Sequence, residues 1–138
     1  MNMYKKYIVA LAVALFCCAC QESLEDKCAR ECKVYTKKNC PAPISMEIIL
    51  DSMTFEASTH TISYHYMLTG RLDSPDALNK ENARAALLGE LKNTTTMRDY
   101  KEQGYNFQYI YHSQKQPDVI LLNVHLTEND YKQKSPLN

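Results

Sequence analysis

The residues best equipped for chemistry are the thiols. Six cysteines occur, at Cys17, Cys18, Cys20, Cys28, Cys32 and Cys40, and a thiol can carry a lipid, close a bridge, ligate a metal or act as a nucleophile. If residues 24 to 35 are helical, Cys28 and Cys32 stand one turn apart with their sulfurs on one face, which is not a comfortable disulfide geometry. Cys40 pairing back to Cys28 or Cys32 is therefore the favoured bridge. Three thiols allow one bridge with one left over, and a free or intermolecular thiol is the alternative. The C-x3-C-x7-C spacing has no neighbouring histidine and matches no zinc site, so no metal is expected.

Histidines and aromatics come next. Strand parity places His65, His112 and His125 on one face of a sheet. His112 and His125 fall about six residues apart in register, roughly 20 Å at strand rise, and cannot share an ion. Tyr64, Tyr66, Tyr105, Phe107, Tyr109 and Tyr111 could stack on sugars or bases, yet Ala and Leu of a helix lie opposite them and the core reading prevails. The opposite face, with His65, Met67, Asn106, Gln108, Ile110 and Asn123, is polar with apolar spots. It is the candidate binding face, suited to a protein or a glycan.

No catalytic residue stands out. Carboxylates are scattered, and neither G-x-S-x-G nor H-E-x-x-H occurs. The 138 residues carry 16 basic and 16 acidic side chains with no long block of like charge, which excludes the phosphate-neutralising footprint of a nucleic-acid binder. Only 3 glycines leave no phosphate cradle. An enzyme and a cofactor are not expected.

The elements that hold these groups follow from periodicity. Residues 21 to 39 are highly charged and read as a spacer containing a short helix. Cys40-Pro41-Ala42-Pro43 punctuates the chain and marks a domain boundary. Ile44, Met46, Ile48 and Leu50 then alternate, the parity shifts at Asp51-Ser52 as at a bulge, and Met53 and Phe55 follow. Ser58-Thr59-His60 turns the chain into Ile62, Tyr64, Tyr66 and Leu68, a second strand. Asp73-Ser74-Pro75-Asp76 reads as a helix start, with Ser74 as cap and Pro75 in the first turn. Ala83, Leu87, Leu88 and Leu91 form the apolar stripe of that helix, which runs to about Lys92. Met97 and Tyr100 mark a short further turn closed at Gly104. Tyr105 to Tyr111 and Ile120 to Leu126 alternate again about a turn at Gln116 to Asp118. The order ββαββ predicts a two-layer α+β domain, an antiparallel sheet of about four strands with one long helix on one face.

The first twenty residues read as an address. Lys5 and Lys6 precede an apolar run from Ile8 to Phe16, then small or thiol residues. That run is too short to span a bilayer, which needs about 20 helical residues. Its end resembles the bacterial lipobox, with Ala19 before Cys20, and departs from it at Cys17, where a leucine is usual. Cleavage before Cys18 and secretion without a lipid remain open alternatives. The resemblance implies a diacylglyceryl thioether on Cys20 and an acylated amino terminus, a stable membrane tether. Gln21 after the lipid site favours the outer membrane, and Glu22, Glu25 and Asp26 resemble a surface-export stretch; the choice of periplasmic or surface face stays open. The expected layout is a lipoprotein signal peptide at 1–19, a lipidated tether with a short helix at 20–43, and an α+β domain at 44–138.

Cys40-Pro41, Leu50-Asp51-Ser52-Met53, Tyr64-His65-Tyr66-Met67-Leu68 and, after Gly104, Phe107-Gln108-Tyr109-Ile110-Tyr111 resemble small bacterial secreted or lipid-anchored proteins of unknown function over residues 40 to 127. That resemblance implies no catalytic residues. The reading is a lipid-anchored envelope protein acting as a binding or accessory module, held to the membrane and facing an envelope protein or glycan, with no nucleic acid. A small envelope enzyme, a glycan-binding protein or a purely structural lipoprotein are the competing readings.

Overall fold

The computed structural model describes residues 21–134. The leader and Cys20 lie outside them. Helix α1, Leu24–Asn39, is opened by Ser23, whose Oγ accepts from the Asp26 N–H at 3.0 Å. Glu25 and Asp26 sit at its positive end and Lys37 and Lys38 at its negative end, each complementing the helix dipole. Strands β1, Ala42–Ser45, β2, Ile48–Glu56, and β3, Thr61–Leu68, follow. A single 3-10 turn at Gly70–Leu72 leads to helix α2, Lys80–Asn93, then helix α3, Arg98–Glu102. Strands β4, Asn106–Ser113, and β5, Ile120–Leu126, precede helix α4, Glu128–Lys132.

The five strands form one sheet in the order β1-β2-β3-β4-β5. Neighbours are antiparallel except β3 and β4, which are parallel and in register from Thr61 against Asn106 to Leu68 against Ser113. The sheet is thus mixed rather than antiparallel. A connection containing α2 and α3 is long enough to carry the chain back to the end from which β3 started, the condition for a parallel pair where an antiparallel one is expected. The expected bulge at Asp51-Ser52 is present, as a register shift between Leu50 and Ser52. The fifth strand arises because Ile44 does not continue β2 but lies in a separate strand before it, joined to β2 through a turn at Met46, in a hairpin in which Pro43 opposes Ile49. Proline is tolerated there because β1 is an edge.

Two further expectations are corrected. The long helix begins at Lys80, not beside Ser74, with Asn79 as cap accepting from the Asn82 N–H at 2.8 Å; Asp73 instead accepts from the Lys115 N–H at 3.0 Å and pins the β4–β5 turn. The second concerns residues 20–43. Helix α1 is no tether: Cys28 and Cys32 belong to the main core with Ile62, Leu68, Phe107 and Leu126, and Thr36 Oγ1 bonds both the N–H and the carbonyl of Met53 in β2, at 2.9 and 3.1 Å. The prolines after Cys40 therefore mark a corner within one packed unit.

Core side chains come from one face of the sheet. Ile62, Phe107, Tyr109, Tyr111, Leu122, Val124 and Leu126 are buried under the helices with Leu87 and Leu91 of α2. Tyr131 of α4 adds its ring edge-on to Phe107, 5.8 Å between centroids, and donates its hydroxyl to the Tyr105 carbonyl at 2.8 Å. Among the described residues no helix is long and apolar enough to cross a membrane.

Candidate functional site

The covered face of the sheet is not covered throughout. Over β2 and β3, between α1 and the α2–α3 connection, lies a cavity of about 590 Å³. Cys28 and Cys32 form its wall on α1, Leu50, Met53, Ile62, Tyr64 and Tyr66 its floor, and Met97 and Tyr100 its far end. At the rim Val34 and Tyr35 are 40% and 39% exposed. An apolar concavity with a few polar groups is the usual form of a recognition site.

Register builds the floor. Because β3 and β4 run parallel, Tyr64 stands beside Tyr109 and Tyr66 beside Tyr111. Their rings stack at 5.1 and 4.7 Å between centroids, with interplanar angles of 7° and 13°, an offset geometry in which ring quadrupoles attract. Burial pushes the phenols of Tyr64, Tyr66 and Tyr109 well above the ordinary value and that of Tyr111 up to about 12. They are neutral at any physiological pH, so the floor is a set of rings with hydroxyls as its polar component. Tyr100 closes the far end by donating to Glu31 Oε2 at 2.6 Å, with Lys27 5.9 Å over its ring.

All three described cysteines are free thiols, Cys28 and Cys32 buried and Cys40 half-buried. The bridge expected from Cys40 meets a geometric obstacle. Cys40 caps the C-terminus of α1, so at 1.5 Å rise it stands about 12 Å along the axis from Cys32 and farther from Cys28, beyond disulfide reach.

The sequence-derived binding face is assembled as a face. His65 opposes Ile110, Gln108 opposes His125 and Ile110 opposes Asn123 in register, and Met67 and Asn106 share the same side. Its polar groups mostly satisfy one another: Gln108 donates to Asn123 Oδ1 at 3.1 Å, Ser63 to Gln108 Oε1 at 3.4 Å, and Thr54 Oγ1 meets His65 Nε2 at 3.0 Å. His65 and His112 stack at 6.1 Å beside a shallow cavity of about 240 Å³. Burial, then neighbouring His112, lowers the His65 pKa. His125 lies apart, opposite Gln108 and four residues along β4 from His112, about 13 Å. Among the described residues no three His, Cys, Asp or Glu side chains are grouped to hold a metal.

The groove escaped sequence reasoning because half of its lining comes from α1, whose charged composition concealed the apolar series Leu24, Cys28 and Cys32 at four-residue spacing. That series was the signal that could have found it.

Three solved structures share this fold. A presumptive secreted protein of Pseudomonas aeruginosa is 16% identical with a TM-score of 0.64, covering 81% of this chain and 100% of its own. A type II secretion system pilotin of Vibrio cholerae is 11% identical, with a TM-score of 0.57 over 78% of this chain and 91% of its own. The type II secretion system pilotin of Vibrio vulnificus is 9% identical, with a TM-score of 0.62 over 80% and 94%. At these identities the likeness is one of fold. No curated protein sequence matches the chain. A family model described as a domain of unknown function, DUF8479, matches residues 23–122, from α1 to the start of β5, and the chain belongs to that family.

Proposed function

We propose that the chain is a lipid-anchored accessory protein of the bacterial cell envelope, tethered to the outer membrane through Cys20, that binds an apolar segment of an envelope protein in the groove beside α1. The role is one of binding, not catalysis. The observation that carries this reading is the groove itself: stacked tyrosines, Met53 and Met97 supply an apolar bed, and the exposed Val34 and Tyr35 at its rim extend that surface outward. A soft, methionine-containing surface adapts to varied apolar side chains. Fold neighbours that are pilotins of type II secretion systems support a component of an envelope assembly as the partner. The outer sheet face, His65, Met67, Asn106, Gln108, Ile110 and Asn123, is the weaker surface because its hydrogen bonds are spent internally.

Copurification with tagged full-length protein tests this reading. Tyr35→Glu at the groove rim and Met97→Glu at its far end are expected to abolish recovery of a partner that wild type retains, while Gln108→Arg on the outer face leaves it unchanged. Retention by both groove variants together with loss in Gln108→Arg would transfer the role to the outer face.

A further inference from the structure

The wall of the groove contains two nucleophilic groups that binding does not require. Cys28 and Cys32 occupy successive turns of α1 on its inward face, at 1% and 4% exposure, and both line the cavity. We infer that Cys28 and Cys32 are a dithiol site that a disulfide-class oxidant of the envelope converts to an intrahelical disulfide, and that this bridge reshapes the groove and weakens its occupancy. The inference rests on the proposed envelope location and groove.

The geometry supplies the coupling. Side chains four apart on a regular helix hold their Cβ atoms about 5–6 Å from each other, whereas a disulfide requires about 3.5–4.5 Å. A bridge must therefore draw one turn of α1 together by about 1–2 Å, and that turn is the groove wall. The same turn belongs to the core cluster with Ile62 and Phe107, and a close-packed core transmits such a shift to its neighbours rather than absorbing it. An extracytoplasmic compartment favours the oxidised form where a thiol oxidant has access, and the groove is the route of access. Cys40, at the end of α1, is too far along the axis to compete.

The chemistry is ordinary exchange. The Cys32 thiolate attacks one sulfur of the oxidant's disulfide, forming a mixed disulfide and expelling the oxidant's first thiolate. The Cys28 thiolate then attacks the Cys32 sulfur, forming the intrahelical S–S bond and expelling the second thiolate. Two electrons pass to the oxidant, which is reduced to its dithiol, and the two protein protons pass to solvent or to the departing thiolates. Their mutual interaction lowers the Cys32 pKa and, with burial, raises that of Cys28, and the exchange balances in the same way with Cys28 attacking first.

The sequence provides a site-specific readout. Trypsin cleaves after Lys27, Arg30 and Lys33, separating Cys28-Ala29-Arg30 from Glu31-Cys32-Lys33 unless a bridge joins them. Folded full-length protein with Cys40→Ser is equilibrated in reduced and then in oxidised glutathione, alkylated, digested and mapped by mass spectrometry, and binding of 1-anilinonaphthalene-8-sulfonate is measured in both states. Joined peptides are expected only in oxidised buffer, with dye affinity lowered about fivefold, the low end of measured couplings between sites. Adding Cys32→Ser is expected to remove both responses. Peptides that never join, equal dye affinity in the two states, or a response that persists after Cys32→Ser would each overturn the inference. Neither readout needs the envelope partner, so a failed copurification would count against the binding role alone, and unjoined peptides against the dithiol alone.

Discussion

Asp130 shows how far a single side chain reaches. Its carboxylate accepts from the Thr127 N–H at 2.7 Å and from the Thr127 hydroxyl, and pairs with Arg84 at 2.8 Å, while Arg84 also donates to the His125 carbonyl. One carboxylate thus opens α4 and ties it to α2. Hydrogen bonding to the Thr127 backbone, reinforced by Arg84, lowers its pKa below the usual 3.8. A depressed carboxylate contributes stability that is present above the unfolded value and lost as pH falls through the folded one. Asp130→Asn should therefore be less stable than wild type at neutral pH, and the gap should narrow as the pH drops below about 4. Denaturant melts across that range check the sign; a constant gap would mean that the carboxylate's charge is irrelevant. The proposed lipid anchor rests on Cys20. Cys20→Ser should move the protein from the membrane fraction to the soluble envelope fraction, and unchanged membrane association would remove the lipid anchor from the account.

Individual elements depend on neighbours for their ends. The last carbonyls of α2 lack intrahelical partners, and Lys101 Nζ reaches back from α3 to the carbonyls of Leu91 at 2.6 Å, Thr94 at 2.7 Å and Lys92 at 3.3 Å. A cation at a helix C-terminus also complements the dipole. Lys101→Met keeps the stem and removes these bonds, and should cost about 1.5–3 kcal/mol, the range for hydrogen bonds to a charged group; a melt unchanged within about 0.5 kcal/mol would show the cap to be idle. Much at this scale was legible in the sequence. Alternation from Ile62 to Leu68 and from Tyr105 to Tyr111 marked β3 and β4, the parity shift at Asp51-Ser52 marked the bulge, and the Gly104 position ends the turn after α3 with φ of +74°. Strand β1 was hidden because prolines read as linker, although an edge strand accepts them. Helix α4 is too short to show an apolar stripe, and its sequence signal is the capping box of Thr127-Glu128-Asn129-Asp130, in which a threonine followed three residues later by an acidic side chain marks a helix start.

At the scale of the whole molecule, the charge of α1 hid its role. Residues 21–39, with five basic and four acidic side chains, read as solvated, yet the buried stripe of α1 closes one side of the core with two cysteines, which behave as small apolar residues. The parallel pairing of β3 and β4 was equally invisible, because alternation sets which face a side chain takes and says nothing of strand direction. The groove follows from both: it needs α1 on the sheet and Tyr64 and Tyr66 beside Tyr109 and Tyr111. A chain beginning at Cys40 should consequently fail to fold, since Ile62 and its neighbours lose their cover, whereas a tether could be deleted freely; circular dichroism and a cooperative melt for the shortened chain would contradict this. The groove beside α1 is the proposed seat of an envelope protein. The most direct measurement places p-benzoylphenylalanine at Tyr35, and separately at Gln108, in the full-length protein, irradiates intact cells and identifies the adducts by mass spectrometry. One envelope protein crosslinked from Tyr35 through an apolar segment, absent with Met97→Glu and absent from Gln108, is the predicted result. Adducts from Gln108 alone, or a Tyr35 adduct indifferent to Met97→Glu, would contradict it.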